Sequence, residues 1–80
     1  MKAKVYVTLK SGILDPQGKA VQHSLETIGY NAAMDVRQGK LFEVTLADGL
    51  SLDEAKKQVT EMAEKLLANP VMENFTVEVE

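Results

Sequence analysis

The sequence contains no cysteine. That absence excludes disulfide bonds, thiolate metal sites and a cysteine nucleophile from the chain, and it suits a reducing compartment. The apolar runs are too short to span a membrane, and the first ten residues, MKAKVYVTLK, alternate charged and apolar side chains rather than forming the apolar centre of a signal peptide. We therefore expect a cytoplasmic protein that does not act at a membrane.

Arginine is almost absent too. Arg37 is the only one and the net charge is −3, whereas binding to a nucleic-acid backbone requires clustered Lys and Arg. An RNA-binding sheet would also need aromatic side chains on its open face to stack bases. The predicted open face carries Tyr6 alone, among Glu43, Glu78 and Glu80. We therefore expect no nucleic-acid partner.

Groups for catalysis are scarce as well. His23 is the only histidine, and the sequence offers it no partner for a nucleophile–base pair. The carboxylates are dispersed over helix exteriors and strand faces. Gly12 and Gly18 flank a helix start, but their spacing matches neither the Rossmann fingerprint nor the P-loop. The sequence therefore predicts no catalytic, cofactor-binding or metal-binding residue in this chain.

Alternating apolar residues predict four strands. The alternation covers residues 3–9, 34–37, 42–46 and 75–79. In a hairpin of the middle two strands, only a loop of odd length places Met34 and Val36 on the same face as Phe42 and Val44. We therefore predict a three-residue turn that ends with Gly39 in the left-handed conformation.

Local signals define two helices. Asp15 is a suitable N-cap and Pro16 a suitable first residue for the first helix, which Gly29 ends. Ser51 begins the second helix through a Ser-x-x-Glu capping box, and Pro70 stops it. The predicted apolar face of the second helix, spaced by three and four residues, comprises Leu52, Ala55, Val59, Met62 and Leu66, widened by Ala63 and Leu67.

The elements follow one another as strand, helix, strand, strand, helix, strand in a single domain, residues 1–80. Two split βαβ units with right-handed crossovers favour an α+β, ferredoxin-like βαββαβ sandwich. Its four-stranded antiparallel sheet would have the order 4-1-3-2 and carry both helices on one face. In this arrangement three connections meet at one end of the domain: residues 10–15, 37–40 and 69–73.

The connection SGILDPQG has two large aliphatic residues where a loop is normally polar. The simpler interpretation is that Leu14 covers the open end of the core. In the other interpretation, Ile13 and Leu14 form a protein-docking patch together with Pro70–Met72, bordered by two basic residues. We call this hypothetical surface the docking edge; it comprises Ile13, Leu14, Asp15, Pro16, Gln17, Gly18, Arg37, Gly39, Lys40, Asn69, Pro70, Val71 and Met72.

Three runs, LKSGILDPQGKAV, VRQGKLFEV and EMAEKLLANPVMENFTVEV, together resemble the PurS family, the small subunits of phosphoribosylformylglycinamidine (FGAM) synthase. The resemblance covers essentially the whole chain. It implies a ferredoxin-like, non-catalytic subunit of de novo purine synthesis that forms homodimers or homotetramers.

The resemblance also implies two partners. A glutaminase subunit would release ammonia and a large synthetase subunit would consume it, and this chain would bring the two together. A glutaminase of that type uses a cysteine nucleophile, which is absent here, so ammonia would be released on the partner. ATP, Mg and glutamine would likewise be used by the partner subunits, with no cofactor bound by this chain.

Two other ferredoxin-like classes compete with this hypothesis. An ACT-like regulatory module would bind a small molecule at the connection after the first strand, where the Asp-Pro-Gln-Gly turn would suit. Such modules are usually fused to an enzyme, and this sequence shows no fused domain. An acylphosphatase-like enzyme needs an arginine in the first connection, and residues 10–15 contain none. We rank the assembly subunit first and the ACT-like module as the alternative.

Overall fold

The computed structural model describes all 80 residues. Its elements are strand β1 at Lys2–Leu9, helix α1 at Pro16–Thr27, strand β2 at Gly39–Thr45, helix α2 at Leu52–Met62, a π-helical turn at Ala63–Leu67 and strand β3 at Glu73–Val79. The chain is therefore an α+β protein with three strands and two α-helices.

The three strands form one antiparallel sheet in the order β2-β1-β3. In the central row of the register, Val5 lies opposite Phe42 on one side and Val77 on the other. Because side chains alternate along a strand, these three residues share one face with Ala3 and Val7. That face forms the core side of the sheet.

Helix α2 covers this face with small side chains. Ala55 and Val59 on α2, and Ala63 directly after it, are completely buried, as are Ala3 and Val5 on β1. Alanine and valine are small, so they allow a helix to pack closely on a sheet. The core therefore lies between β1 and α2.

The π turn changes which residues of the second helix face the core. The Ala68 N–H donates to the Ala63 carbonyl at 2.9 Å, a bond that spans five residues instead of four. Ala63 and Ala68 are both buried, whereas Leu66 is 83% exposed. The prediction that Leu66 belongs to the apolar face is therefore wrong, because the wider turn rotates it into solvent.

The boundaries of α1 follow the sequence signals. Asp15 caps the helix, Pro16 is its first residue, and Gly29 follows its end with a φ of 100°. However, α1 makes no extensive contact with the sheet, and Gly18 is its only buried residue. The prediction that both helices lie on one face is therefore wrong.

The protruding helix makes the molecule long. Its principal extents are 50 × 25 × 14 Å, and its radius of gyration is 16.0 Å. A compact chain of this length would have a radius of gyration of about 12 Å. The structure therefore consists of a packed part and an arm, which comprises residues 16–38.

The predicted strand at residues 34–37 does not form, so the prediction of a four-stranded sheet in the order 4-1-3-2 is also wrong. Residues 33–38 are assigned to no strand, and β2 begins directly after them. The predicted turn needs a left-handed Gly39, whereas only Gly29 and Gly49 have positive φ. Gly39 is instead the first residue of β2, opposite Thr8.

Other partners hold the backbone groups of this segment. The Gln22 side-chain amide on α1 donates to the carbonyls of Ala33 at 3.4 Å and Met34 at 3.2 Å. The Gln38 N–H donates to the Asp15 carboxylate at 2.7 Å. The segment is therefore bound to α1 and its N-cap rather than folded back onto β2.

Candidate docking surface

The three predicted connections do meet at one end of the sheet. The Lys10 N–H donates to the Met72 carbonyl at 2.8 Å, which joins the first connection to the last. The Arg37 guanidinium donates to the Lys10 carbonyl at 3.0 Å and, at 3.4 Å, to that of Leu9. Arg37 therefore joins residues 33–38, which we call the middle segment, to the end of β1.

Asp15 fixes the start of α1 against the middle segment. It is only 5% exposed, and its two carboxylate oxygens accept from different segments. Oδ1 accepts from the Gly18 N–H at 2.9 Å, which caps the helix, and Oδ2 accepts from the Gln38 N–H at 2.7 Å. These bonds, the Gly18 bond first, together with the nearby charge of Arg37, lower the pKa of the Asp15 carboxyl. Both oxygens are thus occupied, and Asp15 acts as a clamp.

Glu73 provides a second clamp, which sequence reasoning missed. Its Oε1 accepts from the Asn69 N–H at 2.8 Å, and its Oε2 lies 3.4 Å from the Lys40 Nζ. The Asn69 bond is the main reason that the pKa of Glu73 is lowered, and Lys40 adds to it. The Asn69 Oδ1 in turn accepts from the Val71 N–H at 3.0 Å. The available signal was the Asn-Pro pair, because an asparagine side chain in a turn often bonds to the backbone two residues on.

The aliphatic side chains of the edge point outward. Leu14 is 70% exposed and Val71 is 79% exposed. The interpretation that Leu14 covers the core is therefore wrong, and Ile13 is the half-buried member of the pair. Most of the other predicted residues are exposed too: Pro16, Gln17, Arg37, Gly39, Lys40, Asn69, Pro70 and Met72.

Gly18 is buried because the middle segment passes directly over it. A Cβ at this position would overlap the Val36 carbonyl oxygen and the Asp15 side chain. Glycine is thus required for close approach at the base of α1, and its role is structural.

A small pocket of about 170 Å³ lies between the two clamps. Its lining residues are Val7, Leu9, Asp15, Gln17, Gln38, Gly39, Lys40 and Glu73. The two acids in this lining already accept backbone N–H groups, so neither is placed as a free base. No group of three or more His, Cys, Asp or Glu side chains could hold a metal ion. No helix combines the length and the apolar character needed to cross a bilayer.

The fold and this surface define the class of protein: a small antiparallel α+β domain with a hydrogen-bonded, partly apolar edge. The model of the PurS family, described as phosphoribosylformylglycinamidine (FGAM) synthase, matches residues 2–80. The chain therefore belongs to the PurS family, as the sequence resemblance predicted.

Individual relatives support this assignment. The FGAM synthase subunit PurS of Bacillus subtilis is 52% identical over 79 residues, which are 99% of this chain and 92% of the relative. Its counterpart in Methanocaldococcus jannaschii is 37% identical over 79 residues, 99% of this chain and 94% of the relative.

Solved structures of the same two proteins are similar as well. B. subtilis PurS has a TM-score of 0.83 at 52% identity, covering 99% of this chain and 96% of the other. M. jannaschii PurS has a TM-score of 0.87 at 35% identity, covering 99% and 94%. The latter is described as one of the subunits of formylglycinamide ribonucleotide amidotransferase in the purine biosynthetic pathway. Family membership favours the assembly-subunit hypothesis over the ACT-like alternative.

Proposed function

We propose that this chain is the non-catalytic assembly subunit of an FGAM synthase complex in de novo purine biosynthesis. It binds a glutaminase subunit and a large ATP-dependent synthetase subunit, so that ammonia released on one reaches the other. ATP, Mg and glutamine are used by the partners. Family membership supports this proposal, because relatives over nearly the whole chain are named as PurS subunits of that synthase. Self-association as a homodimer or homotetramer and a cytoplasmic location remain predictions from the sequence.

One observation supports binding through the docking edge: exposed aliphatic side chains stand on backbone that is held in place. Leu14 directly precedes the clamped Asp15, and Val71 lies between Asn69 and Glu73, the two ends of the second clamp. A loop that is already ordered loses little conformational entropy on binding. Exposed aliphatic residues on such a loop can therefore supply net affinity for a partner.

The basic residues of the edge are suited to its rim. Arg37 and Lys40 are exposed, and their contacts with the Lys10 carbonyl and Glu73 hold them at this end of the sheet. Arginine presents a planar fork of donors that can bind a carboxylate bidentately, whereas lysine acts as a point charge. With an acidic patch on a partner, Arg37 would therefore help to fix the orientation of the complex. Lys40 would mainly raise the association rate.

The proposal is tested with the double variant Leu14→Asp/Val71→Asp and the purified partner subunits. Because both side chains are largely exposed, the variant should keep a melting temperature within a few degrees of the unmodified chain. It should nevertheless lose co-purification with the synthetase and the glutaminase, and glutamine-dependent FGAM synthesis should fall with it. Synthesis driven by free ammonium should change less, since it bypasses ammonia transfer.

Leu52→Asp is the matched control. Leu52 is also an exposed leucine, but it begins α2, away from the three connections. This variant should assemble normally. Normal assembly of a folded Leu14→Asp/Val71→Asp variant would refute the docking edge, and full glutamine-dependent activity without this chain would refute the assembly role itself.

A further inference from the structure

Strand β3 has an unpaired outer edge. It lies at one side of the sheet, where β1 is its only neighbouring strand. The Glu80 N–H donates to the Lys2 carbonyl at 2.9 Å, and the Lys10 N–H donates to the Met72 carbonyl at 2.8 Å. Because hydrogen-bonded pairs alternate along an antiparallel ladder, the even-numbered residues of β3 direct their backbone groups at β1. The odd-numbered residues therefore direct theirs away from the sheet.

Three residues, Phe75, Val77 and Val79, present these free groups. Each has an N–H and a carbonyl oxygen on the outer edge, where no strand is paired. Sheet edges are often protected by proline, lysine or a bulge, because a row of free groups can pair with another chain. β3 has no proline and no lysine, and its register with β1 continues without a bulge from Glu73 to Val79. The edge is therefore available for an additional strand.

The core-side side chains of β3 would gain burial from such a strand. Phe75 lies opposite Val7 and Val77 opposite Val5, so both residues belong to the core side of the sheet. They are only half-buried, whereas Val5 and Val7 beside them are almost completely buried. An added strand with apolar side chains on the core side would cover the exposed part of Phe75 and Val77.

A groove of about 650 Å³ lies beside the start of this edge. It is lined by Lys10, Glu64, Pro70, Glu73, Asn74 and Phe75. Pro70 belongs to the docking edge, so the two surfaces are continuous. Because Phe75 and the ring of Pro70 provide apolar contact area, the groove can receive an apolar side chain from a segment that pairs with β3.

The charges along β3 indicate which kind of segment would fit. Glu78 and Glu80 are exposed on the open face of the sheet, and β3 contains no basic residue. Glu80 lies 3.5 Å from Lys4, and Glu78 accepts from the Tyr6 hydroxyl at 3.2 Å. Opposite charges on neighbouring strands are favourable and like charges are unfavourable. The β3 strand of a second copy would add glutamates and no cation, whereas a segment with Lys or Arg at alternate positions would be complementary.

We propose that β3 binds an extended segment of a partner subunit as a fourth strand of the sheet. The segment alternates apolar and basic residues. Its apolar residues lie beside Phe75 and Val77 on the core side, and its basic residues lie beside Glu78 and Glu80 on the open face. In this mode of binding, main-chain hydrogen bonds supply affinity and the alternating side chains supply specificity. The inference rests on the proposed function, because the segment belongs to one of the two partners.

Amide hydrogen exchange tests the pairing directly. In the free chain, the N–H groups of Phe75 and Val77 should exchange faster than those of Thr76 and Glu78, which bond to β1. One of the purified subunits, synthetase or glutaminase, should slow exchange at Phe75 and Val77 about tenfold or more and bring it close to that of Thr76. Thr76 and Glu78 are controls within the same strand. Unchanged exchange at Phe75 and Val77 in the complexes with both subunits would refute the added strand.

Charge reversal tests the chemistry of the segment. Because both side chains are exposed, Glu78→Lys/Glu80→Lys should keep its melting temperature within a few degrees of the unmodified chain. It should bind the same subunit about tenfold or more weakly. The control Asp48→Lys/Glu61→Lys makes the same charge change at exposed positions outside the sheet and should bind normally. Normal binding of the first variant, or equal weakening of both variants, would overturn the proposal.

Other occupants of the edge would give different results. If Glu78→Lys/Glu80→Lys changed the molar mass of the isolated chain in light scattering, the occupant would be a second copy and the proposal would be wrong. If the unmodified chain bound neither subunit, the proposed function itself would fail. If it bound them while the outer amides of β3 stayed unprotected, only this inference would fail.

Discussion

The arm and the packed part of the molecule have similar apolar patterns but very different burial. All eight residues of the hydrophobic core lie outside the arm, in β1, α2, the π turn and the segments beside them. Within the arm only Gly18 is buried, although Val21, Leu25 and Ile28 repeat at helical spacing. An apolar pattern thus shows which face of a helix is apolar, but it does not show whether that face is covered.

The largest contrast is expected between two valines in helices. Val59 is completely buried under the sheet, so Val59→Asp places a charge in the core and should cost about 4 kcal/mol or more. Val21→Asp makes the same change on the arm and should cost less than about 1 kcal/mol in the isolated chain. Urea unfolding of both variants at low protein concentration checks this. Equal losses would mean that the arm packs on its own sheet.

Glycine substitutions should have different effects on stability at the base of the arm and in the loop before it. Gly18→Ala creates the overlap with the Val36 carbonyl and should destabilise the fold by about 1–3 kcal/mol, even though alanine favours helix formation. Gly12→Ala meets nothing within 4 Å and should stay within about 0.5 kcal/mol of the unmodified chain. Thermal unfolding of both variants provides the measurement. A neutral Gly18→Ala would show that the middle segment does not lie against α1.

The π turn can be tested with two adjacent leucines. Leu67 packs against the core, so Leu67→Gln should cost about 1–2 kcal/mol. Leu66 is exposed, and Leu66→Gln should stay within about 0.5 kcal/mol. If Leu66→Gln lowered the urea midpoint more than Leu67→Gln did, the result would indicate a regular helical face and exclude the π turn.

The smallest expected effect on stability appears only at acidic pH. Because the pKa values of Asp15 and Glu73 are lowered in the folded state, their contribution to stability is complete above the unfolded values of about 4. It is lost as the pH falls through the lower folded values. The urea midpoint should therefore decline below about pH 4, and Asp15→Asn should decline less steeply.

A charge-matched variant serves as the control for this acid effect. Glu61→Gln also removes one negative charge, from an exposed position on α2. It should follow the acid profile of the unmodified chain. The same slope for Asp15→Asn and the unmodified chain would show that Asp15 does not hold the arm.

Local signals predicted the local structure well. The capping preference of Asp15 and Ser51, the fixed φ of Pro16 and the conformational freedom of Gly29 each act over a few residues. Those helix boundaries are confirmed. The convergence of the three connections is also confirmed, because β1 lies between the other strands in the predicted and the observed order alike.

The errors concern contacts that no short pattern encodes. The alternation of Met34 and Val36 is real, but it does not specify whether their partner lies in the same chain. Leu66 illustrates a different limit, since a single five-residue hydrogen bond changes the helical phase. The outward position of Leu14 depends on the clamp at Asp15, whose second bond reaches across 23 residues. Such long-range bonds determine which side chains are exposed, and they cannot be predicted from the spacing of residues in the sequence.

The central position of β1 also affects the order in which contacts form while the ribosome makes the chain. β1 emerges first, yet Ala3 pairs with Val79 at the far end of β3, and only then is the core side of the sheet complete. The arm needs only short loops, since Gln22 bonds to carbonyls 11 and 12 residues further on. The contacts within residues 16–38 can therefore close before β1 gains its second neighbour, because contacts distant in sequence close last.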